Sequence, residues 1–255
     1  MTQSPGAGHI VAMGGGGFSM EPANPLLDDF VLSLSRRQPA RVCFIPTASA
    51  DAASYIVMFY RALAGRCLAT DLTLFDSPAL ARQPARSADL AGFVAEQDVL
   101  YVGGGNTAHL LALWRVHGLD VALRHAWLNG AVLSGNSAGM LCWFRSGVTD
   151  SFGGLERLED GLGLVDASAC PHYGDPGRRL AYHRAVAAGL TPGYAADDGA
   201  AVHFHGSAFV EAVGSSPGAG AYRVDHVEGQ VVETRLPVRW LGADGRHRGI
   251  AERAG

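Results

Sequence analysis

The 255-residue chain is predicted to be an α/β protein, with a mostly parallel sheet sandwiched between helices and β-hairpins near its C-terminus. Three observations carry this. Short apolar runs alternate with segments of helical spacing over the first 140 residues. Three of those runs end in glycine-rich turns, at 14–17, 103–105 and 135–139. After residue 200 the pattern changes to paired runs around Gly206-Ser207 and Glu228-Gly229, as in hairpins.

Taken in order, "HIVAM" (9–13) reads as a buried strand opening into "GGGG". "NPLLDDFVLSLS" (24–35) has apolar residues at 26, 27, 30, 31 and 34, a helical spacing, with Asn24 as its cap and Pro25 at the first helical position. "RVCFIPTAS" (41–49) is a second strand, 51–64 a packed helix, and "CLATDLTLF" (67–75) a third strand. "DVLYVGGGN" (98–106) is a fourth, followed by helix from Thr107 to Leu128, and "AVLSG" (131–135) is the fifth. Strands so interleaved with helices require both faces of a parallel sheet to be covered. Beyond them, "ASACPHY" (167–173) suits a strand and 178–189 a helix. No repeat or long linker divides the chain, so residues 1–255 are expected to form one α/β domain.

Composition narrows the function. Hydrophobic residues make up 48% and charged residues 17%, enough apolar matter for a sizeable core. The formal charge of −4, without a basic run, excludes a nucleic-acid footprint. No apolar run is long enough for a membrane helix, and "MTQSPGAGH" lacks the basic flank and apolar core of a leader, so a cytoplasmic protein is expected. Cys43, Cys67, Cys142 and Cys170 are scattered and read as reduced, structural thiols. All 20 basic residues are arginine. The chain therefore has no Schiff-base, P-loop or Ser-Lys chemistry open to it.

In open parallel sheets ligands bind beyond the carboxyl ends of the strands, so the three glycine turns should converge on one site. Gly135-Asn136-Ser137-Ala138-Gly139 fits G-x-S-x-G, the strand-to-helix turn that lifts a serine hydroxyl above a sheet. Such a serine needs a base. Of ten histidines, His172, following a proline at the end of an apolar segment, and His109, beside the glycine turn, are the candidates. His203 and His205 alternate on one strand and read as a solvated face. Asp150, Asp175, Asp197 and Asp198 are the carboxylates available to orient the base. Ala138 and the Gly103–Gly105 turn, at Gly104, can offer the oxyanion its N–H donors. "GGGGFS" also matches a phosphate-cradling turn, but the acidic partner about 20 residues on is missing, which argues against a dinucleotide.

The blocks "YVGGGNT" (101–107), "GNSAGM" (135–140), "GVTDS" (147–151), "PHYGD" (171–175) and "DDGAAV" (197–202) are similar in order and spacing to those of the serine peptidase family of peptidase E (aspartyl dipeptidase) and cyanophycinase, over residues 9–205. The resemblance implies a fold like the class I glutamine amidotransferases, with serine replacing their cysteine. It implies Ser137 as nucleophile, His172 as base and Asp150 as third triad member, with Asp198 a second carboxylate near the site and Gly105 and Asn106 at the substrate. It further implies a small peptide as partner, cleaved without cofactor or metal; a homodimer is left open. Aspartate specificity would need a cation such as Arg145, Arg178 or Arg179, and a broader exopeptidase is the other expectation. The rivals are a cyanophycinase-like hydrolase of β-linked peptides and a non-catalytic small-ligand module on the same fold, in which Ser137 would be inert.

Overall fold

The computed structural model describes residues 6–75 and 87–242, with the backbone alone at 87–89. The first five residues, part of the stretch weighed as a leader, lie outside it. In chain order the elements are β1 (His9–Met13), α1 (Leu26–Ser33), β2 (Arg41–Ile45), α2 (Ala53–Leu63), β3 (Leu68–Asp71), α3 (Ser87–Ala95), β4 (Val99–Val102), α4 (Thr107–His117), α5 (Leu119–Leu128) and β5 (Val132–Asn136). Then come α6 (Ala138–Leu141), β6 (Phe144–Thr149), β7 (Glu156–Leu158), β8 (Val165–Cys170), α7 (Pro176–Ala187), β9 (Gly193–Ala196), β10 (Ala200–His205), β11 (Ala208–Gly214), β12 (Ala221–Val227), β13 (Gln230–Arg235) and β14 (Val238–Trp240).

The expected sheet is present as eight strands ordered β14-β11-β10-β1-β5-β4-β2-β3. Strands β1, β5, β4, β2 and β3 run parallel, and β10 joins β1 antiparallel. Leu27 and Val31 of α1 and Phe59 and Leu63 of α2 pack with Val11, Phe44 and Tyr101 on one face. Residues of α3, α4 and α5, including Leu90, Trp114 and Trp127, pack with Ile10, Leu100 and Leu133 on the other.

Four expectations need correction. The chain builds a second, six-stranded sheet ordered β13-β12-β9-β8-β6-β7. Only residues 137–143 separate β5 from β6, fewer than the dozen or so a parallel crossover requires, so β6 starts a new sheet. One face of this sheet joins the main core through Phe144, Val165 and Ala196; the other is covered by Tyr182 and Val186 of α7. The helix expected over 107–128 is two helices. Gly118, at φ 70°, ends α4 in the left-handed conformation and opens α5. Both hairpins form as read, around Gly206-Ser207 and Glu228-Gly229. Helix α1 starts one residue later than read, at Leu26, so Pro25 and not Asn24 is its cap, although Asn24 accepts from the Leu26 N–H at 3.4 Å. His203 is buried, hydrogen-bonded to His9 at 2.9 Å, so the face it shares with His205 is not simply solvated. The four cysteines are free, and burial pushes the Cys170 thiol up to about 12.

Candidate active site

Strand β5 lies between β1 and β4, so the turn at its end is flanked by both other glycine turns. Ser137 has φ 55° and ψ −111°, a strained backbone for a side-chain-bearing residue, and its N–H is held by the carbonyl of Met13 at 3.2 Å. The glycines around it are there for close approach. A methyl at Gly135 would come within 2.5 Å of the Val102 carbonyl oxygen, and one at Gly139 would overlap the same atom. Ala138 is buried and begins α6.

The residue before the serine ties the turns together. Asn136 donates to Ser19 Oγ at 2.8 Å and to the Gly16 carbonyl at 3.4 Å, and accepts from the Tyr55 hydroxyl at 3.3 Å. The Gly104 N–H, an expected oxyanion donor, points to that same hydroxyl at 3.2 Å. Gly104 nonetheless adjoins the serine, since a methyl on it would lie 3.3 Å from Ser137 Cβ. Asn106 is the N-cap of α4, accepting from the His109 N–H and donating to the Ser151 carbonyl. Its polar atoms are thus engaged in holding the turn. His109 is exposed.

The glycine loop after β1 carries the histidine. The Gly14 carbonyl accepts from the His172 N–H at 3.1 Å, and His172 sits at φ 51°. Gly15 forms a parallel bridge with Asp198, and its carbonyl accepts from the Gly199 N–H at 3.0 Å. His172 Nδ1 and Asp198 Oδ1 are 2.5 Å apart. Asp150, at the end of β6, instead meets Arg178 at 2.5 Å and forms no hydrogen bond with His172. Asp175 caps α7, accepting from the Arg178 N–H. Asp197 accepts from the Gly220 N–H at 3.0 Å, and burial raises its carboxyl above the usual range. His172, Gly174, Asp175, Asp197 and Asp198 line one recess.

Each arginine considered for an acidic substrate side chain has a carboxylate partner: Arg145 with Asp166 at 3.0 Å, Arg178 with Asp150, and Arg179 with Glu233. Sequence reading missed Tyr55 and Gly15. An isolated tyrosine inside a helix carries no motif; the "GGGG" run marked Gly15, but as a phosphate turn.

The model of peptidase family S51 matches residues 10–212. The chain belongs to that family, a family of serine-type peptidases. "Uncharacterized peptidase YgaJ" of Bacillus subtilis (strain 168) is 51% identical over 236 residues, covering 91% of this chain and 99% of the relative. Among solved structures, a peptidase from an acI-B1 Actinobacterium superposes with a TM-score of 0.63 at 15% identity, covering 92% of this chain and 96% of that one. A Listeria monocytogenes EGD-e protein described as a candidate peptidase E superposes at 0.56 and 19% identity, covering 91% and 100%. These two support the amidotransferase-like α/β fold. No helix among the described residues is long and apolar enough to cross a membrane.

Proposed function

We propose that this S51 member hydrolyses short peptides as an exopeptidase, with Ser137, His172 and Asp198 as its triad. The observation that carries the reading is the 2.5 Å contact between His172 Nδ1 and Asp198, with the His172 and Ser137 N–H groups held by the adjacent carbonyls of Gly14 and Met13. A carboxylate on Nδ1 keeps that nitrogen protonated and leaves Nε2 to accept the serine proton. Ser137 Oγ then adds to the scissile carbonyl, and N–H donors from Ala138 and the 103–105 turn stabilise the oxyanion. His172 passes the proton to the leaving amine. Water, deprotonated by the same imidazole, releases the acyl group and restores the serine. Asp150, engaged by Arg178, is replaced by Asp198 as the third member.

The recess beside His172 is walled by Asp175, Asp197 and Asp198, which suits a cationic part of the substrate. In a dipeptide this is the free α-amine. The same feature favours, as a second reading, β-linked Asp-Arg peptides. The test is a panel of Asp-Xaa, neutral Xaa-Xaa and β-linked Asp-Arg dipeptides, read by mass spectrometry beside Ser137→Ala. Cleavage absent from the variant supports the serine mechanism. A native protein that cleaves none of them and resists a fluorophosphonate sinks it.

A further inference from the structure

Four backbone N–H groups line the turn after β4. Those of Gly103 and Asn106 are taken by the carbonyls of Ile45 and Ala48, at 3.1 and 2.8 Å. That of Gly104 is taken by the Tyr55 hydroxyl at 3.2 Å. Of these four, only the Gly105 N–H has no acceptor among the described residues. Tyr55, in the first turn of α2, is itself fixed: its ring packs 5.0 Å from Phe44 and 5.6 Å from Phe18, and Gly103 leaves room for the ring edge. A phenol both donates and accepts, and this one does both, joining the turn after β4 to Asn136 immediately before Ser137.

We infer that Tyr55 is a positioning residue for the oxyanion hole: by taking the Gly104 N–H and bonding Asn136, it fixes the 103–105 turn against the serine elbow and leaves Gly105, with Ala138, to supply the oxyanion donors. This rests on Ser137 being the nucleophile. Preorganisation is where the hydroxyl acts, because donors must already face the position the oxyanion will occupy. The hydrogen bonds to Tyr55, 3.2 and 3.3 Å, have room to shorten as substrate settles.

The experiment is the labelling rate of Ser137 by an alkyl fluorophosphonate, whose phosphoryl oxygen occupies the oxyanion position as Oγ bonds phosphorus and fluoride leaves. It needs no knowledge of the peptide substrate. Tyr55→Phe removes one oxygen and retains the ring, so the fold survives. The labelling rate constant is expected to fall about tenfold or more, through kinact with KI unchanged. Phe59→Leu, which loosens the same aromatic packing and leaves the hydroxyl in place, should lower Tm and label at the native rate. Native-rate labelling of Tyr55→Phe overturns the inference and leaves Ser137 as nucleophile. An equal loss in Phe59→Leu also overturns it, since general loosening then suffices. A native protein that does not label overturns the nucleophile and the inference together.

Discussion

The imidazole of His172 and the carboxylate of Asp198, 26 positions apart in the chain, meet at 2.5 Å because both are tied to the loop after β1, one through the Gly14 carbonyl and one through Gly15. Asp150, shorter in sequence distance from Ser137, meets Arg178 instead. The two carboxylates are therefore separable. Asp198→Asn should lower kcat by about 10²- to 10⁴-fold, because an amide can hold the wrong histidine tautomer. Asp150→Asn, which only breaks a half-exposed ion pair, should leave kcat within about tenfold of native. Steady-state kinetics on one cleaved dipeptide decide between them, and the reverse ranking would restore Asp150 to the triad.

Gly15 tests the same contact from the backbone side. A methyl there would overlap Asp198 Oδ1, although the glycine itself is not in a left-handed conformation. Gly15→Ala is thus expected to displace the carboxylate from His172 and reproduce the kinetic loss of Asp198→Asn. Circular dichroism should remain native. A fully active Gly15→Ala would mean that the carboxylate has freedom to move and that its 2.5 Å contact does not matter.

Substrate preference follows from the paired arginines. With Arg145, Arg178 and Arg179 each facing an acidic partner, no cation among those three is left to select an aspartate side chain. Neutral dipeptides should be cleaved with kcat/KM within about tenfold of Asp-Xaa. N-acetylation of the same dipeptides should abolish cleavage if the carboxylate recess holds the free amine. A strong Asp-Xaa preference would show that one of these pairs opens for substrate.

Two buried groups oppose each other in the pH dependence of stability. Burial raises the Asp28 carboxyl to about 6, despite the hydrogen bond from Tyr101 at 3.0 Å. The folded state then binds the extra proton, so this group's stability is lost as pH rises from about 4 to about 6, on the order of 3 kcal/mol. Burial and the neighbouring His9 lower His203 to about 4, so the unfolded state binds the extra proton between about 4 and 6.5, and stability is lost as pH falls through that window. The native protein should show a shallow slope between pH 4 and 6. Asp28→Asn should steepen it, losing more stability on acidification, whereas His203→Gln should reverse it. Urea denaturation across that range measures each slope; identical slopes in all three proteins would refute the assignment.

How much of this was legible in the residues can be told element by element. Periodicity marked β1, β2, β4 and β5, and the glycine turns after β1, β4 and β5, because their cause is local: apolar runs that must be buried on both faces, three of them ended by residues small enough for backbones to touch. The G-x-S-x-G turn at Ser137 was legible for that reason, as were the two C-terminal hairpins. The second sheet was not, since pairing β6 with β8, and β8 with β9, depends on the shortness of the 137–143 connection and on which neighbours remain free.

The site divides in the same way. Residue type and spacing marked Ser137 and the glycine turns as candidates and left His172 level with His109; the blocks 101–107 and 135–140 led to the peptidase family, and that resemblance favoured His172. The sequence could rank Asp150 and Asp198 only by position in a motif, and it had no mark for Tyr55. Only the tertiary structure shows which carboxylate meets His172 and what the Tyr55 hydroxyl bonds, because a hydrogen bond depends on a few tenths of an ångström between atoms carried by separate strands and helices. That distance is set by how β1, β4 and β5 lie side by side and by what packs on them, and no local run of residues encodes it.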